Sequence, residues 1–117
     1  MQHDKSEVSV VFHLDETEKT GMTIKNILNL LADDSLVVKR LALVVNGEAI
    51  VGLMKTGEWE KEFLHLIQVN TAVYACRNAM KSKNIVESDL VTGTISVPSG
   101  VGQLALLQTD HFAYIRP

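Results

Sequence analysis

Runs of consecutive apolar residues alternate along the chain with segments in which apolar residues recur at helical spacing. The runs predict five strands, at residues 7–14, 41–45, 71–76, 94–97 and 112–115. The first two are apolar at almost every position, which is typical of strands buried on both faces of a sheet. Between them, Ile24, Ile27, Leu28 and Leu31 follow the i, i+3, i+4, i+7 pattern of an amphipathic helix, which is predicted to end near residue 33.

Further helical segments separate the later strands. A short helix is predicted at residues 49–54, and a second one where Trp59, Phe63, Leu66 and Ile67 recur at helical spacing. A helix to about residue 83 follows the third strand, a single turn is predicted at 88–90, and Ser99 is suited to cap a helix over 101–108. Strands that alternate with helices on short connections indicate right-handed crossovers. The chain is therefore predicted to form one α/β domain over residues 1–117, with a five-stranded, mainly parallel sheet in a three-layer α/β/α arrangement.

Length and composition exclude several functional classes. The 117 residues give room for one core, a single cysteine excludes an internal disulfide framework, and no apolar run is long enough to cross a membrane. The 11 Lys and Arg residues form no cluster and are outnumbered by 14 Asp and Glu residues, which argues against nucleic acid as a partner. The polar start of the chain has no apolar segment of signal-peptide length behind it, so we expect a cytoplasmic location.

The ends of the predicted strands carry the residues with chemical capacity. In open parallel sheets, binding and catalytic groups gather beyond the carboxyl ends of the strands. The residues found there are His13, Asn46-Gly47, Cys76 and Pro98-Ser99-Gly100. By default, however, Asn-Gly is a turn, a serine before a helix is a cap, and a histidine in an apolar strand is structural.

Cys76, the only cysteine, is predicted to lie where the third strand passes into a helix. Backbone N–H groups and the positive end of the helix dipole favour a thiolate there, and Arg77 next to it adds to the effect. His13 could stabilise the thiolate or carry a proton, if the first and third strands are neighbours. The alternative is that Cys76 is a small buried hydrophobic residue, the commoner role of a lone cysteine in apolar surroundings.

The residues around Cys76 limit the chemistry that it could perform. A phosphatase-type loop needs an arginine where this chain has Ser82, and a thioredoxin-like dithiol needs a second cysteine. A cysteine hydrolase needs a histidine and an orienting amide or carboxylate, for which the chain shows no signature. His3, His65 and His111 lack metal-ligand spacing with each other or with Cys76, so no metal site is expected. A single nucleophilic sulfur of this kind is suited to carrying a group.

Short motifs that extend over nearly the whole chain point to a family. They are Val11-Phe12-His13-Leu14-Asp15-Glu16, Asn26, Leu30-Leu31, Val44-Val45-Asn46-Gly47, Ala75-Cys76-Arg77-Asn78, Val97-Pro98-Ser99-Gly100-Val101, Gln108 and Ala113-Tyr114-Ile115-Arg116-Pro117. Together and in this order, they resemble the DsrE-like (DsrE/DsrF-like) family of small intracellular sulfur-oxidation and sulfur-transfer proteins. One departure is Asp110-His111, where relatives usually have glycine before the last strand.

The resemblance implies a five-stranded parallel sheet between helical layers, and a homo-oligomer that is commonly a trimer or hexamer. It also implies that Cys76 takes up sulfane sulfur as a persulfide and passes it to a partner, as a sulfurtransferase-type carrier without a cofactor. Sulfur donor and acceptor proteins would then be its partners. The candidate site consists of Cys76 and His13 as catalytic residues and of Asn46, Gly47, Arg77, Asn78, Ser99 and Gly100 as pocket residues.

A different function is compatible with the same fold. In a non-catalytic, oligomeric binding module, Cys76 would be a spectator, and the turn at Asn46-Gly47 and the helix start at Ser99-Gly100 would donate N–H groups to a small anion or ligand. Trp59, Phe63 and their apolar neighbours suggest more hydrophobic helix surface than one sheet needs, which also predicts a homo-oligomer.

Overall fold

One sheet of five strands runs through the centre of the protein. A computed structural model describes residues 5–117, so that His3 lies outside the described residues. The strands are β1 (Ser6–Leu14), β2 (Leu36–Val45), β3 (Thr71–Cys76), β4 (Ile95–Val97) and β5 (Ala113–Ile115). They lie in the order β4-β3-β2-β1-β5, and all four pairings are parallel.

Helices cover both faces of this sheet. They are α1 (Thr20–Leu31), α2 (Glu60–Gln68), α3 (Arg77–Ser82) and α4 (Gly100–Thr109), with 3-10 helices at Thr17–Lys19, Gly47–Leu53 and Glu87–Asp89. From β1 to β4 the chain steps in one direction across the sheet, and it then returns past three strands to β5. Right-handed crossovers that run in opposite directions place their helices on opposite faces. The helix α4 therefore lies on the face opposite to α1, α2 and α3, and the predicted three-layer α/β/α fold is confirmed.

The two faces of the strands build two cores. The larger core lies under α1, α2 and α3, where Phe12 and Leu43 from the sheet meet Phe63 from α2. The smaller core lies under α4, where Val44 packs with Leu104 and other apolar residues. Side chains alternate along each strand, so that consecutive residues contribute to different cores.

Phe63 and Trp59 do not form an exposed hydrophobic surface. Phe63 is fully buried, and Trp59 packs against the larger core and contacts Gly21, where an added Cβ would lie 3.0 Å from the indole ring. The sequence-based argument that these residues exceed what the sheet needs is therefore wrong, because they cover the sheet themselves.

The strand β2 begins at Leu36, five residues earlier than predicted. Lys39 and Arg40 hide this extension in the sequence, because charged residues interrupt the apolar run. The Nζ of Lys39 lies 3.8 Å from the carboxylate of Glu7, and Arg40 Nη1 lies 2.5 Å from the carboxylate of Asp110. The first residues of β2 therefore lie at the protein surface, where the charged side chains of Lys39 and Arg40 face acidic residues.

The turn before β5 retains the conformation that glycine favours. His111 has a φ angle of 67°, and such a left-handed conformation costs a residue with a side chain about 1–2 kcal/mol. Contacts on both sides hold the turn, since Arg40 hydrogen-bonds to Asp110 and its guanidinium lies 4.5 Å from the centre of the Phe112 ring. The departure from glycine at this position thus leaves the turn intact.

Within residues 5–117, no helix has the length and apolar character that crossing a membrane requires.

Candidate functional site

The carboxyl edge of the sheet brings four of the predicted site residues together next to the first turn of α4. His13 follows Val11 by two positions on β1 and therefore points to the same face as that residue, which packs against α4. Val45 and Ala75 are paired in register, so Asn46 and Cys76 come next at the ends of neighbouring strands. The fourth residue, Gly100, begins α4.

Cys76 occupies the junction that the sequence predicts. It is the last residue of β3 and the N-cap of α3, and it is only 6% exposed. It packs within the same hydrophobic core as Ala79 and Met80 of α3. The sulfur is thus a protected group at the end of a strand, beside the first backbone N–H groups of a helix.

Gly100 allows α4 to start directly against Cys76 and Asn46. A Cβ placed on Gly100 would lie 2.9 Å from Asn46 Cβ and 3.2 Å from Cys76 Cβ. Real Cβ atoms do not approach other atoms so closely without displacing them. Close packing therefore requires a glycine at this position. The first turn of α4 covers Asn46 and Cys76.

His13 is hydrogen-bonded on both ring nitrogens. Its Nε2 lies 2.9 Å from Asn46 Oδ1, and its Nδ1 lies 2.5 Å from the Tyr114 hydroxyl. The condition for direct action on Cys76 is not met, because β2 lies between β1 and β3. Two strand spacings amount to about 10 Å, so His13 reaches the cysteine only through Asn46.

Tyr114 is a member of the site that the sequence analysis missed. It lies on β5, which pairs with β1 so that Tyr114 is opposite Val11. Its ring centre is 5.7 Å from that of His13. The only signal in the sequence is an aromatic residue with a polar tip in the last strand, and nothing in the sequence shows that this strand lies next to the first.

Charged residues hold the end of the chain beside the loop that follows β1. Arg116 donates hydrogen bonds to Asp15 at 3.1 Å and to Glu16 at 3.0 Å, and Lys19 donates to the Pro117 carbonyl at 3.0 Å. The hydrogen bond to Asp15 and the negative charges of Asp15 and Glu16 raise the pKa of Arg116. These contacts fix β5 and thereby hold Tyr114 next to His13.

The remaining predicted pocket residues make other contacts. Arg77 Nε donates to Ser96 Oγ at 3.2 Å and lies 3.8 Å from the Glu87 carboxylate, so its charge is shared with an acidic residue. Asn78 is exposed in the first turn of α3.

Gly47 and Ser99 make contacts that stabilise the local backbone. Gly47 has a φ of 57° and packs against the Asp15 backbone, which an added Cβ would approach to 3.2 Å. Ser99 Oγ accepts a hydrogen bond from the Gly102 N–H at 3.1 Å, so the predicted helix cap is confirmed. Among residues 5–117, no group of three or more His, Cys, Asp or Glu side chains is placed to hold a metal ion.

Comparisons with known proteins identify the fold. No family model matches the sequence, and neither does any curated protein. The protein of unknown function MTH1491 from Methanobacterium thermoautotrophicum has a similar structure, with a TM-score of 0.80 and 26% sequence identity over 97% of this chain and 100% of that chain. The ychN protein from E. coli is also similar, with a TM-score of 0.73 and 13% identity over 96% of this chain and 99% of that one. Both have the DsrE-like fold, so the resemblance is confirmed at the level of the fold.

Proposed function

We propose that this protein is a carrier of sulfane sulfur and that Cys76 holds the sulfur as a persulfide. The observation that carries the proposal is the position of the thiol. The only cysteine lies at the carboxyl edge of a DsrE-like sheet, at a helix start and beside the Asn46 side chain. A cysteine buried in the middle of a strand would have neither polar neighbours nor a route to a partner.

The chemistry needs only the Cys76 thiolate, a donor persulfide and an acceptor thiol. The Cys76 thiolate attacks the outer sulfur of a donor persulfide, the S–S bond of the donor breaks, and the donor leaves as a thiolate. An acceptor thiolate then attacks the outer sulfur on Cys76 and displaces the Cys76 thiolate. Each step exchanges one S–S bond for another, so the transfer requires no cofactor and no external oxidant. Free thiols persist in a reducing compartment, and we therefore place this function in the cytoplasm.

The structure supports the alternative of a binding module less well than the sequence does. The Asn46 N–H donates to the Leu14 carbonyl at 3.0 Å as a continuation of the sheet. The Gly102 N–H in the first turn of α4 is bound to Ser99 Oγ. Two of the backbone donors that an anion would use at this edge are therefore occupied, which favours the carrier.

The first prediction concerns sulfur loading. Incubation with polysulfide is expected to add the mass of one or more sulfur atoms to the intact protein, and treatment with dithiothreitol should remove it. The Cys76→Ser variant should gain nothing, because the chain has no other thiol. Intact mass spectrometry of both proteins measures the result, with thermal unfolding as the control for folding. An unmodified wild-type mass under conditions that load a known carrier would contradict the proposal and leave the binding module.

We further propose that the protein is a homo-oligomer, a trimer or a hexamer, in which α4 contacts a second copy. Val101 and Leu106 on this helix are 67% and 66% exposed, although Leu104 and Leu107 on its other side are buried. A helix that is apolar all round is expected to be buried on all sides. A groove of about 430 Å³ runs along the exposed side, beside Leu106 and Gly102.

The second prediction tests this assembly. Sedimentation velocity at micromolar concentrations is expected to show an oligomer for the wild type, and Leu106→Glu should shift it to the monomer, because a buried unpaired carboxylate is strongly unfavourable. Val86→Glu is the matched control, because Val86 is 60% exposed but lies outside α4. A wild-type protein that sediments only as a monomer would refute the proposal.

A further inference from the structure

The hydrogen bonds of His13 determine which of its nitrogens carries the proton. The carboxamide oxygen of Asn46 can only accept, so His13 Nε2 must donate the hydrogen bond of 2.9 Å that joins them. In the neutral imidazole, Nδ1 is then an acceptor, and the Tyr114 hydroxyl, 2.5 Å away, is its donor. With the Asn46 oxygen turned to His13, the hydrogen bonds run from Tyr114 through His13 to Asn46.

In this arrangement the Asn46 amide turns its oxygen to His13. Because the oxygen faces His13 on the β1 side, the nitrogen faces the opposite side. Asn46 Nδ2 lies 3.3 Å from the position that a Cβ on Gly100 would occupy, and that same position is 3.2 Å from Cys76 Cβ. Within residues 5–117, the amide nitrogen donates to no other group. Asn46 Nδ2 and Cys76 Cβ therefore lie on either side of the space that a side chain at position 100 would occupy.

We propose that Asn46 Nδ2 donates a hydrogen bond to the outer sulfur of the Cys76 persulfide, and that His13 and Tyr114 are positioning residues that hold the amide in this orientation. This inference rests on the carrier function. The outer sulfur of a persulfide lies one S–S bond, about 2 Å, beyond the cysteine sulfur. It is also more acidic than a thiol and therefore anionic at neutral pH. A neutral donor that is already oriented stabilises such an anion without the reorganisation that a free side chain would need.

The role of His13 is accordingly indirect. A histidine that acted as a base on Cys76 would need to be within hydrogen-bond reach of the sulfur. Here the side chain of Asn46 lies between them, and both ring nitrogens are engaged. With Nε2 as the donor, His13 instead favours the amide orientation in which the Asn46 oxygen faces the ring, and a rotation by 180° would present that oxygen to the sulfur anion and repel it.

The test is the equilibrium between the protein and glutathione persulfide in excess glutathione. Loaded and unloaded protein are counted by intact mass after rapid alkylation. We expect Asn46→Ala to lower the loading equilibrium constant by about tenfold, since hydrogen bonds to charged groups contribute on that scale. Tyr114→Phe should lower it by about threefold, and Tyr74→Phe, a matched loss of a hydroxyl on the same face of the sheet, should leave it unchanged.

Two further measurements separate positioning from a merely structural role. His13→Gln retains an N–H that can reach Asn46 and should load like the wild type, whereas His13→Leu should load as poorly as Asn46→Ala. In ¹⁵N spectra of the imidazole, Tyr114→Phe should shift the His13 Nδ1 resonance and lower the fraction of His13 that carries its proton on Nε2. Tyr114 is 41% exposed, so this variant tests the inference even if Asn46→Ala fails to fold.

The outcomes distinguish this inference from the function on which it rests. If the wild type does not load at all, the carrier function is overturned. If the wild type loads and the Tyr114→Phe and His13→Leu variants load equally well, the carrier stands and the positioning role is overturned. If Asn46→Ala folds and loads like the wild type, the amide does not contact the persulfide.

Discussion

Replacing Phe63 with alanine is expected to lower the free energy of unfolding by about 3–5 kcal/mol, because it leaves a cavity in the larger core. Phe63 is fully buried between α2 and the sheet. A domain of this size is stable by only about 5–15 kcal/mol, so the variant should unfold at much lower urea concentration. The fluorescence of Trp59, the single tryptophan, reports the transition, because this residue packs against the same core.

The matched control for this prediction is Lys61→Ala on the same helix. Lys61 is exposed, and its replacement should change the free energy of unfolding by less than about 0.5 kcal/mol. At temperatures where Phe63→Ala remains folded, its sedimentation should equal that of the wild type. A change in oligomeric state without a loss of stability would show that Phe63 contributes to an interface and is not a core residue.

Replacing Gly100 with alanine is expected to destabilise the protein by about 1–3 kcal/mol, the usual cost of excess volume in a packed site. The added Cβ would lie 2.9 Å from Asn46 Cβ, an atom held by the adjoining strand and unable to swing aside. Either α4 or Asn46 must move. We therefore also expect sulfur loading of Cys76 to fall, because the donor amide is displaced.

Gly102 on the same helix provides a control, because its replacement with alanine should change the stability in the opposite direction. A Cβ on Gly102 would meet the nearest atoms of Ser99 at 3.5 Å and 3.6 Å, which is ordinary contact. Alanine is the better helix former, so Gly102→Ala should stabilise the protein by about 0.5–1 kcal/mol. Urea unfolding of both variants measures the pair. Equal effects of the two substitutions would mean that α4 does not pack against the site as closely as described.

Local patterns in the sequence predict much of the fold. The apolar runs indicate buried parallel strands, and the passage from strand into helix at Cys76 follows from residue types that are adjacent in the chain. The cap at Ser99 is a local contact of the same kind. The edge of the sheet at which His13, Asn46 and Cys76 gather follows from the parallel arrangement alone.

The order of the strands in the sheet depends on contacts between distant parts of the chain. The parts of the site that could not be predicted from the sequence depend on this order. Nothing near His13 in sequence indicates that β2 separates it from Cys76 or that β5 lies on its other side. The partnership with Tyr114 joins residues 101 positions apart. The burial of Phe63 likewise depends on which helices share a face, because helical spacing shows that a face is apolar but not what covers it.

The return of the chain from β4 to β5 also determines when the site can form. Strand pairings between residues distant in sequence are slow to form, because loop closure precedes the energetic gain. While the chain emerges from the ribosome, Cys76 is synthesised before α4 and β5, the two elements that close and orient its surroundings. A nascent chain therefore displays a bare thiol, and the hydrogen bond that aligns His13 is made only after β5 has been synthesised. The extent to which a short pulse of alkylating reagent modifies Cys76 at successive times of refolding would measure this last step directly.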